Sequence, residues 1–241
     1  MKILYDYQIF NMQKFGGISN YFYNLINNLK NDKKNNIEGL LSKSKVIPVI
    51  VIDDSQKALQ LAETLFNSGI TCAEITLRTD AAISSLKIFS KFDNFTLGAG
   101  TITNIKQLHK AMNAGAEFIV SPGFDEAIAI ECSKNNIKYI PGCCTPSEIQ
   151  KAIKNSIQLI KFFPSEAFGG IKTLKALSGP FPNISFIPTG GIKTNNIRQY
   201  LDLDCVKACG ITEIVDSNLI VNSDFDEIHM LSKKILNEIS K

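Results

Sequence analysis

The sequence predicts an α/β protein: a (β/α)8 barrel, or TIM barrel, with a short N-terminal strand–loop–helix extension. From residue 46 onwards, eight β-branched runs alternate with amphipathic stretches over about 195 residues. Strands that alternate with helices indicate a parallel sheet, and eight such units fit a closed barrel. A doubly wound open sheet is the alternative. It usually has a glycine-rich turn after its first strand, and residues 51–56 contain no glycine.

The predicted elements follow from this alternation. The strands are expected at 46–52, 70–77, 95–98, 117–120, 138–140, 157–163, 184–187 and 205–208. The helices are expected at 55–67, 80–91, 104–114, 125–135, 146–154, 170–178, 194–201 and 225–240. Asp54 or Ser55, Thr103, and Ser147 have side-chain oxygens suited to capping three of these helices.

The first 36 residues do not follow this rhythm. They predict a strand at 2–5, a loop with two glycines, and a helix at 19–29. The polar segment at 30–36 is typical of a linker. We therefore predict an extension at 1–36 and a barrel at 37–241.

The composition excludes several classes of protein. It is 44% hydrophobic and 20% charged, as in soluble globular proteins. With 26 basic and 23 acidic residues, the net charge of +3 does not indicate a nucleic-acid partner. No apolar run is long enough to span a membrane, and the N-terminus lacks a signal-peptide pattern, so we expect a cytoplasmic protein. Only two basic residues are arginines, Arg78 and Arg198.

The cysteines and histidines do not predict a metal site. The six cysteines show no C-x-x-C spacing, and Cys143 and Cys144 are adjacent. Only His109 and His229 are present, which disfavours a histidine metal site or a Ser-His-Asp triad. We expect reduced and mostly buried thiols.

Lys161 is the first candidate catalytic residue. It lies in the sixth predicted strand, among apolar residues and near the strand's carboxyl end, where barrels of this kind place their active sites. Burial disfavours an ammonium ion, and the free amine is the form that attacks a carbonyl carbon. The alternative is a lysine that extends its ammonium into water from a strand edge.

A second group of polar residues lies on the second predicted strand. Glu74, Thr76 and Arg78 are expected on one face because side chains alternate along a strand. A carboxylate inside the barrel could transfer protons, and an arginine at its mouth could hold a substrate carboxylate. The alternative is an internal Glu74–Arg78 ion pair. Arg198 lies in a predicted helix and is expected at the surface.

Glycine-rich segments recur where predicted strands end. They lie at 98–101, 121–123, 141–142, 188–191 and 209–212. Each by itself is compatible with an ordinary turn. The loops after strands seven and eight are, however, where barrels often bind phosphate through backbone N–H groups.

Eight segments, in order and with their spacing, carry a resemblance to a known family. They are IPVIVI (47–52), AEITLRT (73–79), GAGTI (98–102), FIVSPG (118–123), IPGCCTPSE (140–148), IKFFPSEAFGGI (160–171), GPFP (179–182) and FIPTGGI (186–192). The chain resembles 2-keto-3-deoxy-6-phosphogluconate (KDPG) aldolase, which in many bacteria also cleaves 4-hydroxy-2-oxoglutarate (KHG). The match covers roughly residues 37–235.

This resemblance implies a class I aldolase that acts on a small 2-oxo acid, forms a homotrimer and uses no metal or organic cofactor. Lys161 matches the Schiff-base lysine, and Glu74 matches the carboxylate that transfers protons. Arg78 and Thr101 match residues that hold the pyruvyl carboxylate. The remaining matched positions are expected to contact the substrate: Pro122, Thr145 and Phe163 line the site, and Gly190, Gly191, Gly210 and Thr212 belong to the phosphate loops.

Two features depart from the family pattern. After the eighth strand the family usually has Gly-Gly-Ser and an aromatic residue, whereas this chain has the sequence Gly-Ile-Thr-Glu at 210–213. Ile211 is expected to add a side chain where backbone should approach phosphate, and Glu213 adds a negative charge. This departure favours a non-phosphorylated 4-hydroxy-2-oxo acid. In addition, residues 1–30 resemble the start of a GT-B glycosyltransferase, a match too short to form a functional domain.

Two other functions stay open at this point. One is a non-catalytic barrel that binds an oxo acid or a protein partner. The other is a glycosyltransferase-related role, which the missing remainder of that fold disfavours.

Overall fold

A computed structural model of the chain describes residues 36–92 and 95–240. The predicted strand, loop and helix of the extension at 1–36, and the glycosyltransferase-like opening within it, lie outside the described residues, apart from Asn36. The first described helix, α1 (Ile37–Ser44), begins directly after this segment.

Eight short strands follow α1 in the described residues, and every paired strand is parallel to its neighbour. They are β1 (Val46–Ile50), β2 (Cys72–Thr76), β3 (Thr96–Gly100), β4 (Phe118–Val120), β5 (Lys138–Ile140), β6 (Leu159–Phe162), β7 (Ser185–Pro188) and β8 (Cys209–Ile211). The first seven overlap the predicted runs. The eighth does not: residues 205–208 were expected, but β8 begins at Cys209, whose N–H donates to the carbonyl of Lys45 just before β1.

Helices alternate with these strands. They are α2 (Ala58–Asn67), α3 (Ala82–Phe89), α4 (Ile105–Asn113), α5 (Glu126–Lys134), α6 (Pro146–Lys154), α7 (Gly170–Ser178), α8 (Ile197–Leu201), α9 (Ser217–Asn222) and α10 (Phe225–Ser240). Short 3-10 turns lie at Ser55–Lys57, Glu166–Phe168 and Glu213–Val215. Within the described ranges, none of the helices is long and apolar enough to cross a membrane.

Two of the predicted helix caps are wrong. The side chain of Asn104, not Thr103, accepts the N–H of Gln107 at the start of α4. At the start of α6 the cap is Thr145, not Ser147, and Pro146 takes the first helical position. Proline suits that position because its missing N–H would have no partner within the helix. Asp54 caps the 3-10 turn before α2, as expected.

The strands form a six-stranded and a two-stranded sheet. The larger sheet has the order β5-β4-β3-β2-β1-β8, and the smaller one pairs β6 with β7. Single bridges join Gly142 to Lys161 and Thr189 to Gly210. The chain is therefore an α/β protein whose larger parallel sheet forms a half-barrel.

Burial on both faces of the strands explains their apolar sequences. In β2, Ala73 and Ile75 belong to the main hydrophobic core, whereas Cys72 and Glu74 point the other way. In β6, Ile160 and Phe162 join the main core, and Lys161 alternates with them. Strand alternation therefore turns Glu74 and Lys161 away from the main core.

A second hydrophobic cluster, the inner cluster, lies on that other face. Helix α1 contributes Ile37 and Leu41, both almost fully buried. The remaining members come from the strands and their starts: Ile47, Cys72, Phe118, Val120, Ile140, Leu159, Ile187 and Ala208. Burying one such side chain stabilises the fold by about 1.5–3 kcal/mol. The inner cluster thus places apolar side chains next to Glu74 and Lys161.

Truncating a side chain of the inner cluster should destabilise the fold. We expect Leu41→Ala to lower the free energy of unfolding by about 2–5 kcal/mol, because it removes a fully buried side chain. Urea unfolding followed by circular dichroism measures this change. Lys43→Ala, an exposed position of the same helix, is the control and should change stability by less than about 0.5 kcal/mol. Equal effects of the two substitutions would contradict the role of the inner cluster.

Candidate active site

The centre of the candidate site is a buried pair formed by Lys161 and Glu74. Lys161 Nζ lies 3.2 Å from Glu74 Oε1 and 3.3 Å from Oε2. Lys161 is 6% exposed and Glu74 is 4% exposed. Because an unpaired charge is costly away from water, each group supplies the partner that the other needs. The alternative of an internal Glu74–Arg78 ion pair is wrong, since the partner of Glu74 is Lys161.

A small cavity adjoins this pair. Its volume of about 10 Å3 is about the least that can hold a single water molecule. Besides the pair, it is lined by Ile47, Phe118, Val120, Ile140, Ile187 and Gly210. The ring of Phe163 lies on another side, with its centroid 5.2 Å from Lys161 Nζ. The amine and the carboxylate are therefore enclosed by apolar groups that strengthen their interaction.

Two glycines inside β3 make room for this arrangement. A side chain at Gly100 would place its Cβ 2.0 Å from Glu74 Oε1, and one at Gly98 would meet the Phe118 ring at 2.2 Å. The segment at 98–101 was expected to begin a turn, but both glycines are strand residues, paired with β2. They are needed for clearance across the strands rather than for a bend.

Arg78 and Thr101 meet at the carboxyl ends of β2 and β3. Arg78 was expected to lie on the same strand face as Glu74. However, β2 ends at Thr76, so Arg78 lies two residues past the strand, where strand alternation no longer sets the direction of its side chain. Its Nε donates to Thr101 Oγ1 at 3.2 Å, and its guanidinium is exposed. The hydroxyl of Thr76 is instead buried and donates to the carbonyl of Ile50.

The backbone at Thr101 is strained. Its φ is +59°, a left-handed conformation that is unusual for a β-branched residue. Such a conformation costs about 1–3 kcal/mol and is often found at functional sites. With the backbone in this conformation, the Thr101 hydroxyl accepts from Arg78, and the two side chains are joined at the ends of adjacent strands.

Thr145 takes part in a capping box with Glu148. Glu148 Oε2 accepts hydrogen bonds from the N–H groups of Cys144 and Thr145 and from the Thr145 hydroxyl, at 2.8–2.9 Å. Partial burial by itself would raise the pKa of Glu148, but these hydrogen bonds outweigh that effect and hold the pKa below its ordinary value. The T-x-x-E spacing at 145–148 is the sequence signal for this box, and it identifies Thr145 rather than Ser147 as the cap. The substrate role expected for Thr145 stays a prediction.

The two adjacent cysteines lie beside this loop. Burial raises the pKa of the Cys143 thiol to about 12 and also raises the pKa of Cys144 above its ordinary value. The Cys144 thiol donates to the carbonyl of Phe163. Both groups are therefore thiols rather than thiolates at neutral pH, which agrees with the expected packing role.

The loops after β4 and β5 pack closely on each other. A Cβ at Gly142 would lie 2.0 Å from the Pro122 carbonyl oxygen, so Gly142 allows the backbone of the two loops to touch. Pro122 itself is exposed. Its expected contact with substrate stays a prediction.

The loop after β7 depends on two glycines. Gly190 and Gly191 have φ values of +95° and +81°, which glycine adopts without strain. A Cβ at Gly191 would also lie 2.5 Å from the Glu166 side chain. In β8, Gly210 leaves room for the Thr189 hydroxyl, and Thr212 is exposed just after the strand.

The expectation for Ile211 is wrong. Its side chain is 1% exposed and lies in the main hydrophobic core. Because Gly210 lines the cavity, alternation turns the next residue towards the helices. Ile211 therefore adds no side chain at the candidate site. Glu213, in contrast, contacts the loop that follows β7. Its Oε2 accepts hydrogen bonds from both the N–H and the hydroxyl of Thr194, each at 2.7 Å.

The structure brings the predicted site residues together in two groups. Lys161, Glu74 and Gly210 line one cavity, and Arg78 contacts Thr101. Arg198, which was expected at the surface, is half-buried: its guanidinium pairs with Asp202 one helical turn on and donates to the carbonyl of Glu238. Over residues 36–92 and 95–240, no group of three or more His, Cys, Asp or Glu side chains is placed to hold a metal ion.

Comparison with known proteins gives a consistent result. A family model described as KDPG and KHG aldolase matches residues 37–231. The chain is 38% identical to a 2-dehydro-3-deoxy-phosphogluconate aldolase of Haemophilus influenzae over 200 residues, covering 83% of this chain and 94% of that protein. It is 36% identical to the KHG/KDPG aldolase of Escherichia coli over 202 residues, covering 83% and 95%.

Solved structures agree. A KDPG aldolase of Legionella pneumophila, with pyruvate captured as a covalent carbinolamine intermediate, superposes with a TM-score of 0.79 at 40% identity. The match covers 82% of this chain and 97% of that one. A KDPG aldolase of Zymomonas mobilis superposes equally well, at 31% identity over 83% of this chain and 95% of its own.

The pKa values of the two cysteines predict their reactivity. We expect iodoacetamide at pH 8 to alkylate Cys143 and Cys144 more slowly in the native protein than in the urea-unfolded chain, because a raised pKa leaves little thiolate. The native rate should rise as the pH is raised further. Peptide mass spectrometry after timed labelling measures both rates. Faster labelling in the native protein would contradict this assignment.

Proposed function

The chain belongs to the KDPG and KHG aldolase family and is a lyase, and from this premise we propose that Lys161 forms a Schiff base with a 4-hydroxy-2-oxo acid. The proposed reaction cleaves KDPG to pyruvate and glyceraldehyde 3-phosphate, KHG to pyruvate and glyoxylate, or both. The observation that carries this proposal is the buried contact of Lys161 Nζ with both carboxylate oxygens of Glu74.

The pair accounts for formation of the imine. The ammonium of Lys161 transfers a proton to Glu74, and the free amine attacks the C2 carbonyl to give a carbinolamine. Glu74 returns the proton to the C2 hydroxyl, which leaves as water. The resulting iminium nitrogen stays beside the Glu74 carboxylate, which stabilises its positive charge in apolar surroundings.

The same two groups account for carbon–carbon cleavage. The iminium accepts the electron pair of the C3–C4 bond and becomes an enamine. Glu74, through one water molecule, removes the proton of the C4 hydroxyl, so that the aldehyde is released. Protonation of the enamine at C3 and addition of water to the imine then release pyruvate and restore the lysine.

The remaining site residues take positions around this chemistry. In the proposal, Arg78 and Thr101 bind the C1 carboxylate, which suits an exposed guanidinium held by a neighbouring hydroxyl. Phe163, Pro122 and Thr145 border the bound oxo acid. The proposed contacts of the other end of the substrate are in the loops after β7 and β8, at Gly190, Gly191, Gly210 and Thr212.

We further propose that the strands close into a (β/α)8 barrel. The single bridges Gly142–Lys161 and Thr189–Gly210 support this closure because each joins the two-stranded sheet to one end of the larger sheet. The inner cluster supports it as well, since it combines side chains from both sheets. The family resemblance implies a homotrimer, which light scattering of the purified protein tests. The proposed cytoplasmic location rests on the sequence, which lacks a signal-peptide pattern.

Trapping the intermediate tests the proposed function directly. Sodium borohydride with pyruvate should attach one reduced pyruvyl group to the protein, located at Lys161 by peptide mass spectrometry. Lys161→Ala should remove both the adduct and cleavage of KDPG and KHG. Lys138→Ala is the matched control, because Lys138 also lies on a strand but pairs with Glu38 instead. An adduct in Lys161→Ala, or none in the unmodified chain, would contradict the proposal.

Glu74 is tested through the glycine that makes room for it. We expect Gly100→Ala to reduce kcat about 100-fold or more, because a Cβ 2.0 Å from Glu74 Oε1 displaces the general base. Gly123→Ala is the control, since no atom lies within 4 Å of a Cβ built there. If both variants kept full activity, the position of Glu74 would not matter for catalysis.

A further inference from the structure

Glu213 lies where two loops of the candidate site meet. It begins the 3-10 turn directly after β8, and its carboxylate reaches the loop that follows β7. Both hydrogen bonds from Thr194, one from N–H and one from the hydroxyl, are 2.7 Å long. Hydrogen bonds to a charged acceptor at this distance are among the strong ones in proteins. The negative charge is therefore fixed in position between the loops.

The surrounding loop holds this arrangement rigidly. Thr189 N–H donates to the carbonyl of Phe162, and Lys193 N–H donates to Asn196 Oδ1. The Asn196 amide in turn donates to the carbonyl of Gly191. Of the donors that this loop could offer to an anion, the backbone N–H groups of Thr194 and Lys193 and the Thr194 hydroxyl are thus already used within the protein.

From this geometry, and resting on the proposed function, we infer that Glu213 sets the choice of substrate. Its carboxylate acts as a built-in anion between the loops after β7 and β8. It occupies donors there and repels a phosphate dianion, so that the enzyme favours non-phosphorylated 4-hydroxy-2-oxo acids over phosphorylated ones. Like charges placed face to face across a binding site are a common means of rejecting a ligand.

The lengths of the two substrates explain why only one of them would be rejected. Both form the imine at C2 and break the C3–C4 bond. KHG ends with a carboxylate at C5, next to the bond that breaks, whereas KDPG carries its phosphate on C6. The phosphate extends further from Lys161 and carries the larger charge. A fixed negative charge in the outer loops therefore opposes KDPG much more than KHG.

The test compares Glu213→Gln with the unmodified protein. Glutamine keeps the size of the side chain and an oxygen that can accept from Thr194, but it removes the charge. We expect the unmodified protein to have the higher kcat/KM for KHG. The variant should raise kcat/KM for KDPG at least about tenfold, through KM, and leave that for KHG within about twofold.

Asp216→Asn is the matched control. It removes one negative charge three residues further along, where the Asp216 side chain accepts from Asn218 rather than from the β7 loop. This variant should leave the ratio of the two kcat/KM values unchanged. A ratio that shifts equally in both variants would mean that overall charge, and not Glu213, governs the preference.

Inorganic phosphate is a probe that needs no variant. It should inhibit KHG cleavage by the unmodified protein weakly, and by Glu213→Gln competitively and more strongly. A preference for KDPG in the unmodified protein, strong inhibition of it by phosphate, or an unchanged ratio in Glu213→Gln would each overturn the inference. These results are separable from failure of the proposed function, because borohydride trapping of pyruvate at Lys161 does not involve the phosphate end of a substrate.

Discussion

The rest of this structure depends on one buried contact, the ion pair of Lys161 with Glu74. Two opposite charges lie almost without water, and removing one partner of such a pair typically costs about 3–5 kcal/mol because the other is left uncompensated. The surrounding fold satisfies the requirements of the pair: strand alternation directs both groups to the same face, and Gly100 leaves the space that the carboxylate fills. In the proposed reaction, the same contact joins the nucleophile to the proton acceptor. Stability and the proposed chemistry therefore depend on the same atoms.

One side of the site is apolar, and the other side, at the carboxyl ends of the strands, is polar. Helix α1 and apolar residues of the strands form the inner cluster, which keeps water from one side of the pair. At the carboxyl ends of the strands, side chains that can bind charge replace the apolar ones, as with Arg78 and Thr101. A substrate with an oxo group next to a carboxylate matches this division, since its carbonyl carbon must reach the amine while its charge stays near the surface.

The loops that follow β7 and β8 distinguish this chain from the family pattern it otherwise follows. The loss of a second glycine after Gly210 has little effect by itself, because Ile211 turns into the main core. The acidic residue two positions later has the larger consequence, since it attaches the end of β8 to Thr194. A change of residue type in this loop thus changes its charge and its hydrogen bonding.

The sequence by itself determined the α/β class of the fold and the positions of seven strands, and it singled out Lys161 and Glu74 as candidate site residues. Apolar runs such as the one that forms β1 are local, so seven strands could be found, and a lysine or glutamate inside such a run stands out without coordinates. The resemblance to the KDPG and KHG aldolases could also be recognised from the sequence, because its motifs are short and occur in order. The start of β8 could not be predicted, because residues 205–208 look as suitable for a strand as residues 209–211. Pairing with β1 selects Cys209 as the first strand residue.

Only the tertiary structure decided which groups meet. Glu74 and Lys161 are 87 residues apart, and Glu213 and Thr194 are 19 apart, so their contacts depend on strand register and loop path. The clearance role of Gly100 was likewise hidden, because it depends on a carboxylate carried by the neighbouring strand. Residue types and local patterns belong to the chain, whereas the direction in which each side chain points is fixed by the pairing of strands that are distant in sequence.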